Sequence, residues 1–174
     1  MAIKRDNFGG LPVAIIGAGS WGTALAYHLG RKGLLVRLWV YEPELLAILQ
    51  QERENRFFLP GVKLPTPLSF HDDLAAAVDA AGPVIMAIPS HVFRRVLIQL
   101  APHLQADQVI NSATKGIESD RLLTMEGVVR EVLGSTQPYA VLSGPSFARE
   151  VVQGQPTAVT VASRDQTVAK TVQR

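Results

Sequence analysis

Apolar residues in this chain gather in short, often β-branched runs, and the segments between them carry apolar residues at helical spacing. The first run, Val13–Ile16, ends at Gly17. A small-residue segment from about Trp21 to Lys32 then reads as a helix that stops at Gly33, a residue suited to a helix C-cap. The second run, Leu35–Val40, is followed by Pro43, well placed to open a helix through about Glu54. Prolines and a glycine between Asn55 and Pro65 defeat both regular periods and predict a loop. Beyond it the alternation resumes with a short strand at Leu68–Phe70. His71-Asp72-Asp73 leads into an alanine-rich helix ending near Gly82, and Pro83–Ile88 reads as a buried strand before a helix from His91 to about Leu104. Val109–Ala113 is the next strand, then comes a loop at Thr114-Lys115-Gly116 and a helix from about Arg121 to Leu133. Tyr139–Leu142 is a further strand, broken by Ser143-Gly144-Pro145-Ser146. A short helix through Val152 precedes Thr157–Ala162, whose alternation marks a strand with two differently occupied faces. Ser163-Arg164-Asp165-Gln166 is a capping-box pattern for one more helix, of which Arg174 leaves room for about two turns.

Strands alternating with helices predict an α/β fold with a doubly wound, mostly parallel sheet and a ligand crevice at the carboxyl ends of its strands. The residues that follow each strand are therefore the informative ones. They are Gly17–Gly22, Tyr41-Glu42, Pro89–His91, Thr114–Gly116 and Gly144–Ser146, scattered in sequence but converging on one crevice.

Composition narrows the class. A length of 174 residues suits one domain, and 47% hydrophobic with 18% charged residues is globular rather than disordered. The net charge is only +2 and no run of basic residues is longer than a pair (Lys4-Arg5, Arg31-Lys32, Arg94-Arg95), which is no electrostatic footprint for nucleic acid. Cysteine is absent, which excludes disulfides and thiolate metal sites and suits a reducing cytoplasm. The stretch from Leu11 to Leu29 holds no Asp, Glu, Lys or Arg and follows Lys4-Arg5, like a signal peptide or membrane span. Asp6 and Gly9-Gly10 break the first pattern, and three glycines with Ser20 and Thr23 interrupt the second, so neither export nor membrane insertion is expected.

The sharpest chemical signal is Gly17-Ala18-Gly19-Ser20-Trp21-Gly22, between the first strand and the first helix. In that context the pattern predicts a dinucleotide turn. Gly17 permits the tight bend, Gly19 lets the backbone approach the pyrophosphate, and Gly22 allows close packing of helix on strand. The helix N-terminus then aims unpaired N–H groups and the positive dipole end at the phosphates. Glu42 follows the second strand, where a carboxylate can accept from the adenosine ribose hydroxyls, and Tyr41 is available to stack on adenine.

Gly17–Ala26, Asn55…Leu59-Pro60-Gly61…Leu64-Pro65, Ile88-Pro89-Ser90-His91-Val92-Phe93, Ala113-Thr114-Lys115-Gly116 and Leu142–Glu150 together resemble the NAD(P)-dependent glycerol-3-phosphate dehydrogenases. The motifs stand in that family's order and spacing over nearly the whole chain. The resemblance implies a Rossmann-type cofactor domain of a two-domain oxidoreductase. That enzyme interconverts dihydroxyacetone phosphate and sn-glycerol 3-phosphate with NAD or NADP and supplies phospholipid synthesis. It further implies that Ser20 and Trp21 contact the cofactor, that Phe93 flanks the nicotinamide half, and that Ala148 touches the cofactor. Lys115 would contact cofactor and substrate, while Gly144 and Ser146 help hold the substrate. By residue type alone Lys115 reads as a solvated loop lysine, but its place after a buried strand gives a fixed ammonium beside an anionic site. His91 reads as a capping or packing residue at a helix start, Ser143–Ser146 would serve equally as a plain turn, and Asn55–Pro65 reads as packing. The family's proton-transferring lysine lies in a helical C-terminal domain with no counterpart in this sequence. No catalytic residue is therefore expected here, and residues 1–174 are expected to form a cofactor-binding half whose last helix, from about 165, is cut short. A homodimer of the full-length enzyme is compatible with the resemblance. Bacterial relatives with arginine or histidine at the Tyr41-Glu42 position accept NADP; Glu42 tilts the expectation slightly toward NAD. Two readings stay open beside it: a non-catalytic nucleotide-binding module, and a related two-domain dehydrogenase of hydroxy acids or sugar acids.

Overall fold

In the computed structural model, which describes residues 10–173, the first apolar run forms strand β1, Val13–Ile16, with every side chain buried. Its alternate residues serve two cores, because successive strand side chains point to opposite faces. Val13 and Ile15 join one apolar cluster, while Ala14 and Ile16 join the other. The remaining strands are β2 (Val36–Trp39), β3 (Leu68–His71), β4 (Val84–Met86), β5 (Ile110–Ser112), β6 (Tyr139–Ser143) and β7 (Thr160–Ala162). They form one sheet in the order β3-β2-β1-β4-β5-β6-β7. All neighbours pair in parallel except β7, which runs antiparallel to β6. The order reverses between β1 and β4, the switch point at which open α/β sheets leave a crevice.

Helices cover both faces. They are α1 (Ser20–Arg31), α2 (Pro43–Glu52), α3 (Leu74–Val78), α4 (Ser90–Leu100), α5 (Met125–Leu133), α6 (Ala148–Val152) and α7 (Gln166–Gln173), with a 3₁₀ turn at Ala101–His103. On one face Phe93, Val96, Leu97 and Leu100 of α4 and Val128 and Val129 of α5 pack on Ile16, Met86 and Ile110. On the other, Ala26 of α1 and Leu45 and Leu49 of α2 pack on Val13, Ile15, Val36 and Leu38. None of the described helices is long and apolar enough to cross a membrane. The basic pair Lys4-Arg5, with Asp6, Gly9 and Arg174, lies outside the described residues.

The predicted strands and helices all appear, and the differences lie at their ends. The alanine-rich helix stops at Val78 rather than near Gly82. Asp73 caps it through its side chain, which accepts from Ala75 and Ala76. Arg37 of β2 donates to the carbonyls of Ala76 and Asp79, and Gly82 N–H donates to Pro12, so the chain must leave the helix to re-enter the sheet. The helix expected from Arg121 starts at Met125, capped by Thr124, because Leu122 is left-handed (φ 54°) and Glu118 N–H bonds the Leu123 carbonyl. Strand β7 begins at Thr160 rather than Thr157, since its partner β6 ends at Ser143 and supplies no further ladder. The last helix does not use the capping box. Asp165 accepts from the Thr167 amide at 2.7 Å, and the Ser163 hydroxyl instead donates to the Tyr139 carbonyl at 2.6 Å.

One contact sets how α1 meets the sheet. A Cβ built on Gly22 would stand 2.0 Å from the Gly17 carbonyl oxygen, which is backbone and has nowhere to go. Gly22→Ala is therefore expected to lower unfolding stability by at least about 1–3 kcal/mol, the ordinary cost of overpacking. Urea denaturation of the two proteins checks this; equal midpoints would mean that helix and turn can separate freely.

Candidate functional site

The glycine turn opens onto two adjoining pockets. The first, about 480 Å3, is lined by Gly17 and Gly19, by Trp39, Tyr41 and Glu42 beyond β2, by Phe58, and by Val92, Arg95, Val96 and Gln99 of α4. The second, about 380 Å3, is lined by Ser20, Trp21, Thr114, Lys115, Ser146, Phe147 and Ala148. Ala87, Ile88 and Pro89, at the end of β4, belong to both. Each volume is that of a small-molecule site, and together they make one crevice across the carboxyl ends of β1, β2, β4 and β5.

The turn itself is built by sterics. Gly17 has φ +114°, and a Cβ there would meet the Ala87 carbonyl oxygen at 2.6 Å, so no other residue fits. Gly19 differs. Its φ of −67° suits any residue and a Cβ would meet nothing within 4 Å. The protein places no demand for glycine at position 19; only something lying against the turn would. Gly19 is the N-cap of α1, whose first N–H groups lack partners inside the helix. A pyrophosphate seated over Gly19 on that helix start fits these residues, and a Cβ would fill its place.

Behind the turn stands a residue that the sequence reading treats as packing. Asn55 is fully buried, and its amide nitrogen donates to the Ala18 carbonyl at 2.7 Å and to the Thr23 hydroxyl at 2.8 Å. Its side-chain oxygen accepts from the Phe58 amide at 2.9 Å. The Thr23 hydroxyl also donates to the Ala18 carbonyl. The 55–65 loop thus holds the glycine turn and delivers Phe58 to the rim of the first pocket. No periodicity marks such a residue; the signal available was a polar amide inside an apolar, proline-rich loop.

Lys115 is exposed at the second pocket, on a loop tied at three points. The Thr114 hydroxyl donates to the Ile88 carbonyl at 2.9 Å and to that of Met86 at 3.2 Å. Gly116 (φ +100°) lets the chain turn where a Cβ would crowd the Ser90 hydroxyl. Arg94 makes a two-pronged pair with Glu118, at 2.6 and 2.9 Å, and also reaches Glu131. The hydrogen bonds from Arg94 hold the Glu118 carboxyl below the usual carboxylate range, and Glu118 in turn raises the Arg94 guanidinium.

The expected site residues divide accordingly. Gly17, Gly19, Tyr41 and Glu42 line the first pocket, and Ser20, Trp21, Lys115, Ser146 and Ala148 line the second. Three stand elsewhere. Gly22 packs against Gly17. Phe93, expected to flank a nicotinamide, is fully buried in the core, because it falls on the inward face of α4 beside Leu97; its neighbour Val92 lines the first pocket. Gly144, expected at the substrate, lines neither pocket. A Cβ on it would stand 2.8 Å from the Ala158 carbonyl oxygen, so its place is against the strand that returns as β7. His91 is exposed and also lines neither.

The family described as the NAD-dependent glycerol-3-phosphate dehydrogenase N-terminus matches residues 12–169. The NAD(P)+ glycerol-3-phosphate dehydrogenase of Syntrophobacter fumaroxidans is 49% identical over 166 residues, which are 94% of this chain and 49% of that protein. That of Yersinia pestis is 50% identical over 153 residues, 88% of this chain and 45% of its own. The crystal structure of glycerol-3-phosphate dehydrogenase from Coxiella burnetii superposes with a TM-score of 0.89 at 40% identity, over 93% of this chain and 49% of that one. The chain spans about half the length of these relatives.

Asn55→Asp keeps the shape but turns a donor into an acceptor facing the Ala18 carbonyl. It is expected to lower stability by at least about 2 kcal/mol, since each buried group left unpaired costs about 1–3 kcal/mol. Dinucleotide affinity is expected to fall with it. Chemical denaturation and a fluorescence titration with NADH measure the two effects; parental values for both would show that the glycine turn stands without Asn55.

Proposed function

The chain belongs to the NAD-dependent glycerol-3-phosphate dehydrogenase N-terminal family, and on that footing we propose that it is the cofactor-binding half of an enzyme interconverting dihydroxyacetone phosphate and sn-glycerol 3-phosphate. The observation that carries this reading is the glycine turn between the two pockets, with Gly19 open toward the first and required by nothing in the fold. When bound, NAD(P)H supplies the hydride for C2 of the ketone substrate. Tyr41 and Glu42 hold the adenosine end in the first pocket, with the Glu42 carboxylate accepting from the ribose hydroxyls. The amides at the start of α1 take the pyrophosphate. In the second pocket Ser20, Trp21 and Ala148 border the nicotinamide. Lys115 and Ser146 bind the substrate, the ammonium stabilising negative charge on phosphate and on the developing alkoxide. Lys115 is the one basic side chain among the described residues lining that pocket. With its charge given to binding, Lys115 is a binding group in this reading and not the source of the proton for the alkoxide.

The same reading makes the partner a small phosphorylated metabolite rather than nucleic acid or a membrane, allows a homodimer of the full-length enzyme, and puts the protein in the cytoplasm as a source of glycerol 3-phosphate for phospholipids. A net charge of +2 without long basic runs and the absence of cysteine support the first and third of these.

Gly19→Val tests the cofactor site. The variant is expected to fold, since its Cβ meets no protein atom, and to lose measurable NADH binding by calorimetric titration. Unchanged affinity would mean that no coenzyme rests on this turn. Coenzyme choice is tested separately. NADH is expected to bind more tightly than NADPH, because Glu42 repels a 2′-phosphate. Glu42→Arg should shift that ratio by on the order of tenfold, the worth of one charge-assisted hydrogen bond. An unchanged ratio in Glu42→Arg would remove Glu42 from the ribose.

A further inference from the structure

The neighbouring arginines of α4 have opposite fates. Successive residues on a helix are turned about 100° from one another, so Arg94 and Arg95 face different surroundings. Arg94 is consumed by Glu118 and Glu131. Arg95 is exposed and makes no ion pair, hydrogen bond or ring contact with any described residue. Its side chain lines the first pocket with Val92, Val96 and Gln99, a stripe of α4 at helical spacing, in the pocket that Tyr41 and Glu42 also line. Glu42 and Arg95 are the only charged residues among the described residues lining this pocket.

An unpaired guanidinium at the edge of a ligand pocket has a restricted chemistry. It has five donors and no acceptor, and its planar fork matches a phosphate better than a hydroxyl or a ring nitrogen. Val92 and Val96 beside it offer an apolar seat for a flat base, and Tyr41 and Glu42 line the same pocket. The ribose assigned to Glu42 then has Arg95 as the one cation among the described residues lining its pocket. We propose that Arg95 is a 2′-phosphate-binding residue, a counterweight to Glu42 that lets the chain accept NADP(H) as well as NAD(H). This rests on the reading of the crevice as a coenzyme site. Glu42 disfavours the extra phosphate and Arg95 favours it, so the balance of the two sets the selectivity. Removing either charge moves the preference in opposite directions.

Two small probes isolate the group at issue: adenosine 5′-monophosphate and adenosine 2′,5′-bisphosphate, which differ only in the 2′-phosphate. Calorimetric titration of each is compared for the unmodified chain, Arg95→Leu and Arg95→Lys. Arg95→Leu is expected to weaken the bisphosphate about tenfold more than the monophosphate, the loss of one charge-assisted contact. Arg95→Lys is expected to fall between, keeping the charge without the fork. The NADH to NADPH affinity ratio should widen in the same order, and the bisphosphate difference should shrink as salt rises. A second background, Glu42→Gln, should show the same selective loss on replacing Arg95, from a higher starting affinity for the bisphosphate. Equal weakening of both probes would place Arg95 on the base or the 5′-phosphate and overturn the proposal, as would no change in either. If neither probe nor NADH binds the unmodified chain, it is the coenzyme reading of the crevice that fails.

Discussion

Everything at the crevice depends on α1 starting where β1 stops, with no side chain between them. Gly22 lies so close to the Gly17 carbonyl, and Gly17 so close to that of Ala87, that two strands and a helix meet backbone to backbone. This contact brings the start of α1 to the point where the strand order reverses between β1 and β4. Parallel strands on either side of a switch point diverge toward connections on opposite faces, and the space between those connections is the crevice. Replace the contact by one methyl group and the helix start, with its unpaired amides, moves away from the place where a pyrophosphate would sit.

Such a contact must be held from behind, because glycines contribute no side-chain packing of their own. Asn55 does this with three hydrogen bonds in a fully buried position. Leu59, from the same loop, packs with Ala24 of α1 and Val152 of α6, and Trp21 and Ala148 lie against that cluster. The elements around the second pocket are therefore one packed unit with the glycine turn. A change at Asn55 reaches both pockets, although Asn55 lines neither.

Charges in the region fall into those already paired and those left open. The Arg94–Glu118 pair is partly buried and two-pronged, a geometry that orders a loop even where an ion pair adds little stability. With Thr114 and Gly116 it holds the segment that carries Lys115. Lys115 and Arg95 remain exposed, one on each pocket, with Glu42 lining the same pocket as Arg95. A cation lining each pocket suits a ligand with anionic groups at both ends, and Glu42 is the one carboxylate among the described residues lining either.

The architecture was legible in the sequence because its signals are local. β-branched runs, helical spacing between them and a glycine pattern at one strand–helix junction are properties of neighbouring residues, and they determined the strands, the parallel sheet and the turn. Element ends were less legible. Arg37 taking the carbonyls at the end of α3, and the end of β6 cutting β7 short, are contacts between distant segments. The site divided in the same way. Strand-end residues such as Tyr41, Glu42 and Lys115 follow from the topology alone, since a parallel sheet gathers its carboxyl ends. Which side of α4 meets the crevice does not follow. Phe93 and Arg95 are two residues apart on one helix, and only the packing of α4 on Met86 and Ile110 buries the first and leaves the second open. The same holds for Gly144 and Asn55, whose roles come from a returning strand and a buried carbonyl far away in sequence. Sequence by itself determined which segments meet; tertiary packing decided which side chains face the ligand, because rotation of a helix about its axis is settled by what lies beneath it.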